Sequence, residues 1–414
     1  MTAAVDQKEF PCNSCGAMLE FNPLAGGLAC PYCGHEKAVP ENDIDAPERA
    51  FNQHSLSESV EMARFSEQAM EVACTSCRAR VVFEPPDVAG KCPFCNTSIA
   101  SPAEPSQPVA KPDGVLPCKV TLKEANQFFR QWLGSNWFVP DNLRSLAQSD
   151  SFQGVYLPYW TFDAKANTTY TGERGEYEQT RRDSNRRIYW QPANGQFETT
   201  FDDIMVAATQ SLDEKRLKQL KGWDLDDVVT YTPSFLAGFK AQRYQVSLDK
   251  AWTAAKTEMD GYLSRDVETE IAGDRRRIHS ANFEYGEITY KHVLLPVWMS
   301  TFLYDKKKYQ VIVNAQTGEV IGDRPYSKGK IAMAAGGGIA AAIAALALII
   351  GIGTRLPASS GSSSQPVRIQ RDAGSPSFRS PPRVRQPKAR KRHYSPNKGS
   401  GSSVRRSRKS RRRR

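Results

Sequence analysis

The chain lacks most of what an enzyme needs. It holds only five histidines, His35, His54, His279, His292 and His393, and they form no local ligand or triad pattern. There is no G-x-x-x-x-G-K-[ST] loop, no H-E-x-x-H helix and no G-x-S-x-G elbow. The stretch GGGIAAAIA at 336–344 has the glycines of a phosphate loop but no lysine. The acidic pairs Asp202-Asp203 and Asp226-Asp227 read as ordinary surface carboxylates. A leader is not expected either, because MTAAVDQKEF has no apolar h-region. Together these gaps point to a protein that is not an enzyme and whose cysteines sit in a reducing compartment.

A basic body is also missing. The formal net charge is +11, but residues 355–414 hold nineteen Lys or Arg against one acid, Asp372. The first 354 residues are therefore left at −7, so the folded part does not read as a nucleic-acid-binding surface.

Cysteine is scarce, with nine in 414 residues, yet eight of them form one pattern written twice. Cys12-x-x-Cys15 is followed after fourteen residues by Cys30-x-x-Cys33, and Cys74-x-x-Cys77 is followed by Cys92-x-x-Cys95 at the same spacing. The offset is 62, and it also relates Phe21 to Phe83, Pro23 to Pro85 and Pro31 to Pro93. A Cys-x-x-Cys turn aims two thiolates at one ion, and two such turns complete a tetrahedron. Gly34 suits the positive-φ position that follows such a turn, and Asn96 is the next most tolerant residue there. About thirty residues per unit cannot build a core, so metal must supply much of the folding free energy. The expectation is two structural zinc ions in closed four-sulfur shells. Rubredoxin-like iron is the rival, and paired disulfides are the plain alternative. His35 could be a stray ligand, but four cysteines already complete its site. Cys118 has no partner at ligand spacing and is expected to be a buried small residue.

The resulting layout is a zinc ribbon at 1–40, a linker with a candidate short helix at 41–70 and a second ribbon at 71–100. A Pro-rich extended linker at 101–117 then leaves the ribbons beside the next domain, not fused into it. Residues 118–328 are expected to form an α+β domain with antiparallel sheets. Thr121 and Glu124 form a capping-box pattern ahead of helical spacing in LKEANQFFRQWL. The segments 154–172, 232–248 and 295–311 share a proline, an aromatic two residues later and a strand-like run, which suggests three related hairpins. Residues 247–273 read as a long helix ending at Gly273, and 309–325 as a hairpin turning near Thr317-Gly318.

Residues 331–353 are uncharged, lie between Lys330 and Arg355, and are long enough for a transmembrane helix. Ala334, Gly338 and Ala342 form a small-residue stripe that would permit homo-oligomeric pairing of such helices. The expected location is the inner (cytoplasmic) membrane, single-pass, with the N-terminal body cytoplasmic. Twenty residues on each flank carry three basic residues apiece, so the local charge rule does not orient the tail. The tail is expected outside, the alternative being a hairpin broken at Gly336–Gly338 that returns it. Residues 354–414 are Ser, Pro, Gly and Arg-rich and are expected to be disordered. Arg405, Arg406, Arg408, Lys409 and Arg411, Arg412, Arg413, Arg414 suit a polyanion such as lipid headgroups, nucleic acid or an acidic protein.

The ribbon CNSCGAMLEFNPLAGGLACPYCG, the middle YLPYWTFDA and YTGERGEY, then LLPVW and VNAQTGEVIGDRPYSKGKI resemble a bacterial family over roughly residues 1–353. Its members are TFIIB-type zinc-ribbon membrane proteins, often labelled primosomal protein N′ (replication factor Y)-like or phage-replication-like. The resemblance implies an association with phage-shock coat or band-7 scaffold proteins in membrane stress. The function expected is a non-enzymatic, membrane-anchored zinc-ribbon adaptor with protein partners. The alternative is a nucleic-acid-binding protein at the membrane, without helicase activity because the nucleotide loop is missing.

Overall fold

The structure, a computed structural model, describes residues 10–39, 46–51, 62–63, 70–77, 79–83, 90–92, 94–95, 97–99, 104–105, 109–140, 143, 152–177, 187–334 and 391–395. Among the described residues strand outweighs helix, 43% to 22%, so the body is mostly sheet, which corrects the α+β domain expected from the sequence. Three strands set its shape. Gln153–Tyr177 has 25 residues, Ile188–Ala207 has 20 and Arg275–Tyr304 has 30. At about 3.3 Å per residue the longest would run on the order of 100 Å, far beyond an ordinary strand, so the sheet divides into a thick base and a projecting arm.

The main sheet has ten strands, with the path Val229–Thr230, Gly114–Val115, Arg275–Tyr304, Gln153–Tyr177, Ile188–Ala207, Lys391–Tyr394. The long strands pair antiparallel. Three short pairings are parallel: Gly114–Val115 on Val293–Leu294, Lys240–Ala241 on Val155–Tyr156, and Lys391–Tyr394 on Glu198–Phe201. The expectation of purely antiparallel sheets is corrected accordingly. So is that of a wholly disordered tail, since Lys391–Tyr394 joins the sheet.

In the base both faces of the sheet are buried. Strand alternation sends Val155, Leu157 and Tyr159 to one core and Tyr156 to the other. Leu295, Val297 and Met299 likewise oppose Leu294 and Trp298. The first ribbon lies in the core of one face, with Cys12, Leu19, Phe21, Leu28 and Cys30 packed among Phe129, Tyr156 and Trp298. The second lies in the core of the opposite face, with Val72, Cys74, Cys92 and Phe94 packed against Leu157, Leu295 and Ile312. The two ribbons are thus built into the base, not strung beside it. Their burial adds apolar surface that thirty-residue units could not bury alone.

Local signals hold where they are strong. Helix Leu122–Gly134 starts with a capping box in which Glu124 N donates to Thr121 Oγ1 at 3.2 Å and Thr121 N donates to Glu124 Oε2 at 2.8 Å. The long helix Leu248–Ile271 stops before Gly273, whose φ is +80°. Its buried stripe of Ala251, Ala255, Met259, Leu263, Val267 and Ile271 covers one face of the arm. The hairpin Lys307–Asn314 to Val320–Gly322 turns through Gly318 at φ +78°. Of the three expected hairpins only 295–311 turns back on itself, through Asp305-Lys306, while 154–172 runs inside the single strand Gln153–Tyr177 and 232–248 makes no hairpin. Pro233 opens the 3-10 turn Pro233–Leu236 and only Lys240–Ala241 is strand. Of the candidate helix in 41–70, Met62–Ala63 is a strand paired with Val109–Ala110, and 52–61 and 64–69 lie outside the described residues.

The membrane expectation is corrected. Among the described residues no helix is long and apolar enough to cross a bilayer, a statement about helices alone. Of the 331–353 segment, 331–334 continue a helix begun at 328, and 335–353 lie outside the described residues. The expected single-pass helix in the inner membrane is therefore not supported.

Candidate metal centres

Each ribbon is a pair of knuckles. In the first, Gly16 N donates to Cys12 O at 2.8 Å and Gly34 N to Cys30 O at 3.0 Å. Gly16 and Gly34 have φ of +74° and +73°, which lets both turns close. Cys12 N and Cys30 N bond Ala17 O at 2.6 Å and His35 O at 2.9 Å, and in the second ribbon Cys74 N and Cys92 N bond Ala79 O and Thr97 O, both at 2.8 Å. Asn96 lies outside the described residues.

The turns bring all eight predicted cysteines into two clusters, Cys12, Cys15, Cys30, Cys33 and Cys74, Cys77, Cys92, Cys95, with every sulfur within 4.8 Å of the others in its cluster. The Cys12–Cys33 and Cys15–Cys30 sulfurs are 3.5 Å apart, as are Cys74–Cys95, and Cys77–Cys92 are 3.6 Å apart. A disulfide needs about 2.05 Å. Four thiolates about 2.3 Å from one ion lie about 3.8 Å from each other. The separations fit shared metal and exclude the disulfide alternative in this geometry. All nine cysteines are unpaired.

Electrostatics agree. The Cys33 amide holds the Cys30 thiol down to about 6 against the upward push of burial, and hydrogen bonding from Cys77 holds Cys92 down to about 5, again against burial. Their neighbours move the other way. Cys33, despite the amide of His35, rises to about 12 beside Cys12 and Cys15, and Cys77 rises beside Cys92. Four thiolates so close cannot all carry charge without a cation, and a divalent ion would take up that charge. Both clusters could therefore hold a metal ion, with no protein ligand beyond sulfur among the described residues. His35 is outside the first cluster. Cys118 is buried; its thiol donates to Val120 O at 3.2 Å, and burial pushes it up to about 12, so it is a packed thiol and not a nucleophile.

No family model matches the chain. No solved structure matches it. Its sequence is 26% identical over 337 residues to YdjG of Bacillus subtilis (strain 168), described as an uncharacterized protein, covering 78% of this chain and 92% of that one. The relative is distant and leaves the metal clusters as the firmest functional feature.

The two clusters differ in exposure. Cys12, Cys30, Cys74 and Cys92 face the two cores, whereas Cys15 and Cys33 are exposed and Cys77 and Cys95 half-buried. The aromatic between the knuckle cysteines decides the difference. Phe94 is 2% exposed, and its carbonyl accepts from Thr301 Oγ1 at 3.2 Å and Gln310 Nε2 at 2.5 Å. Tyr32, at the same place in the repeat, is 83% exposed. Leu24 and Met18 are also exposed elsewhere in the first ribbon. The second ribbon is a bracket against the sheet, and the first presents Tyr32 outward from its knuckle turn. The sequence carries a hint, since Tyr tolerates water where Phe does not.

One charged cluster escaped the sequence entirely. Asp163 sits where both neighbouring strands slip register. Asp203 N donates to Asp163 Oδ1 at 2.7 Å, Thr289 Oγ1 donates to Glu48 Oε2 at 3.1 Å, and Lys291 Nζ lies 3.2 Å from Glu48 Oε1 and 3.6 Å from Asp203 Oδ1. Asp203 was expected to be a surface acid; its φ of +56° and the bulge turn it inward instead. Asp226 and Asp227 stay near the surface, where Asp227 pairs with Lys119 at 2.5 Å. Burial, aided by Asp203 and Glu48, pushes Asp163 up to about 6. A carboxyl raised in the folded state penalises folding above that pKa and not below its unfolded value of about 3.9. Asp163→Asn should therefore gain stability over the native chain as pH rises from 4 to 7, read from urea midpoints. A gain that shrinks over this window would contradict the assignment.

Proposed function

We propose that the protein is a non-enzymatic zinc-ribbon adaptor in which two structural zinc ions brace one sheet and the first ribbon's exposed tip engages a protein partner. The single observation that supports this most is the asymmetry of the repeat: Phe94 is buried and Tyr32 is 83% exposed. Tyr32, held on a metal-stapled turn, offers a rigid exposed aromatic at little entropic cost, the kind of residue that dominates protein interfaces, and Leu24 is exposed on the turn between Glu20–Asn22 and Gly27–Ala29. Closed four-sulfur shells leave no position for substrate, so zinc is assigned a structural role. The acidic balance of the first 354 residues disfavours the nucleic-acid alternative.

A photo-crosslinker placed at Tyr32 should yield discrete protein adducts in the cell, and Leu24→Ser/Tyr32→Ser should lose those partners while keeping its zinc. Nucleic-acid adducts, or partners retained by the zinc-loaded double variant, would overturn the proposal.

A further inference from the structure

Residues 391–394, Lys-Arg-His-Tyr, lie in the most basic part of the chain, where a solvated coil is the default. Instead they add a parallel strand to the outer edge of Ile188–Ala207, with Glu198 opposite Lys391, Thr199 opposite Arg392, Thr200 opposite His393 and Phe201 opposite Tyr394. Strand alternation sends Arg392 and Tyr394 to the side where Thr199 and Phe201 are buried, toward the long helix. Arg392 Nη1 pairs with Asp266 Oδ1 at 2.8 Å, its Nη2 pairs with Glu270, and its guanidinium lies 5.1 Å from the Phe197 ring centre. Tyr394 packs on Tyr262 with ring centres 3.9 Å apart and on Phe201 at 5.7 Å. On the other side His393 approaches Asp202 at 3.8 Å.

From this we infer that the groove between the long helix and the edge of Ile188–Ala207 is a strand-addition site for a basic-x-aromatic segment, filled in cis by the chain's own tail. Main-chain pairing supplies the generic attraction and two built pockets supply the selectivity. One pocket is the Asp266/Glu270 carboxylate pair spaced one helical turn apart, which suits a guanidinium fork. The other is the Tyr262–Phe201 slot, which takes one aromatic ring. The helix holds six acids against three bases, and the body is negative where the tail is positive, so the match is electrostatic as well as steric. Fifty-six residues separate Ala334 from Lys391, more chain than is needed to return the segment to its own body. A tether of that kind sets an effective concentration on the order of millimolar, which favours cis over trans at ordinary protein concentrations. The site also caps an exposed strand edge, so release of the tail would open that edge to another strand. The tail is thereby a latch.

The test uses the full chain and a fluorescent peptide spanning Arg390–Asn397. The open variant Arg392→Ala/Tyr394→Ala alters only the tail strand and leaves the body intact. The peptide should bind the open variant at least tenfold more tightly than the native chain, where the latch competes. Adding Asp266→Lys/Glu270→Lys should abolish that binding, and a peptide with Glu in place of Arg392 should recover it. Equal binding to native and open chains, or binding indifferent to the charge reversal, would overturn the inference. A native chain that dimerises while the open variant stays monomeric would also overturn it, because the groove would then hold a second copy's tail.

Discussion

Phe94→Ala will lower the unfolding free energy by about 3–5 kcal/mol, while Tyr32→Ala will shift it by no more than about 0.5 kcal/mol. The two residues occupy the same place in the duplicated ribbon, between a proline and a cysteine. Phe94 is 2% exposed in the core shared by the second ribbon and the sheet, so truncation leaves a cavity among buried side chains. Tyr32 is 83% exposed and loses almost no packing. Denaturant unfolding of the zinc-loaded variants reads the difference directly. Equal costs would mean that the ribbons are docked alike, and the division into bracket and exposed tip would fall.

Loss of metal will have the largest effect of all. Apparent zinc-binding free energies for small zinc modules run about 10–16 kcal/mol at neutral pH, comparable with or above the total stability of a domain, about 5–15 kcal/mol. Cys92 and Cys74 lie in the core of one face of the base, and Cys12 and Cys30 in that of the other. Chelation of both ions will therefore melt the base and not merely unravel the ribbons. The arm has its own core under the long helix, with Trp160, Phe162, Phe201, Met259 and Leu263 and no cysteine among its members. Hydrogen exchange should show amides of Val293–Met299 losing protection on metal removal before those of Leu248–Ile271. Protection lost first from the long helix, or a base that keeps its protection without metal, would contradict the coupling of metal to core.

What the sequence reveals here follows from how local each feature is. The eight ligands are legible because the chemistry fixes their spacing within twenty-two residues, whatever the rest of the fold does. The capping box at Thr121 and the stripe of the long helix are legible for the same reason: their partners lie three or four residues away. The segment at 232–248 misleads because a proline followed by aromatics also suits a turn, and Pro233 with Gly238 at φ +81° makes one. The placement of the ribbons on opposite faces is not written in either ribbon, since it depends on strands two hundred residues downstream. The bond from Lys291 to Glu48 spans 243 residues, and no motif could announce it. The tail strand is hidden by its own composition. Only its register beside Glu198–Phe201 shows why Arg392 and Tyr394, two residues apart, share a face.

The central claim is that one chain carries two metal ions, each closing a four-cysteine cluster that flanks a single sheet. Native mass spectrometry of the intact, zinc-supplemented protein tests it most directly. The expected result is the chain plus two zinc ions, falling to one zinc for Cys30→Ser and for Cys92→Ser. A native mass showing one zinc, bound iron, or the loss of hydrogens that marks disulfides would contradict it.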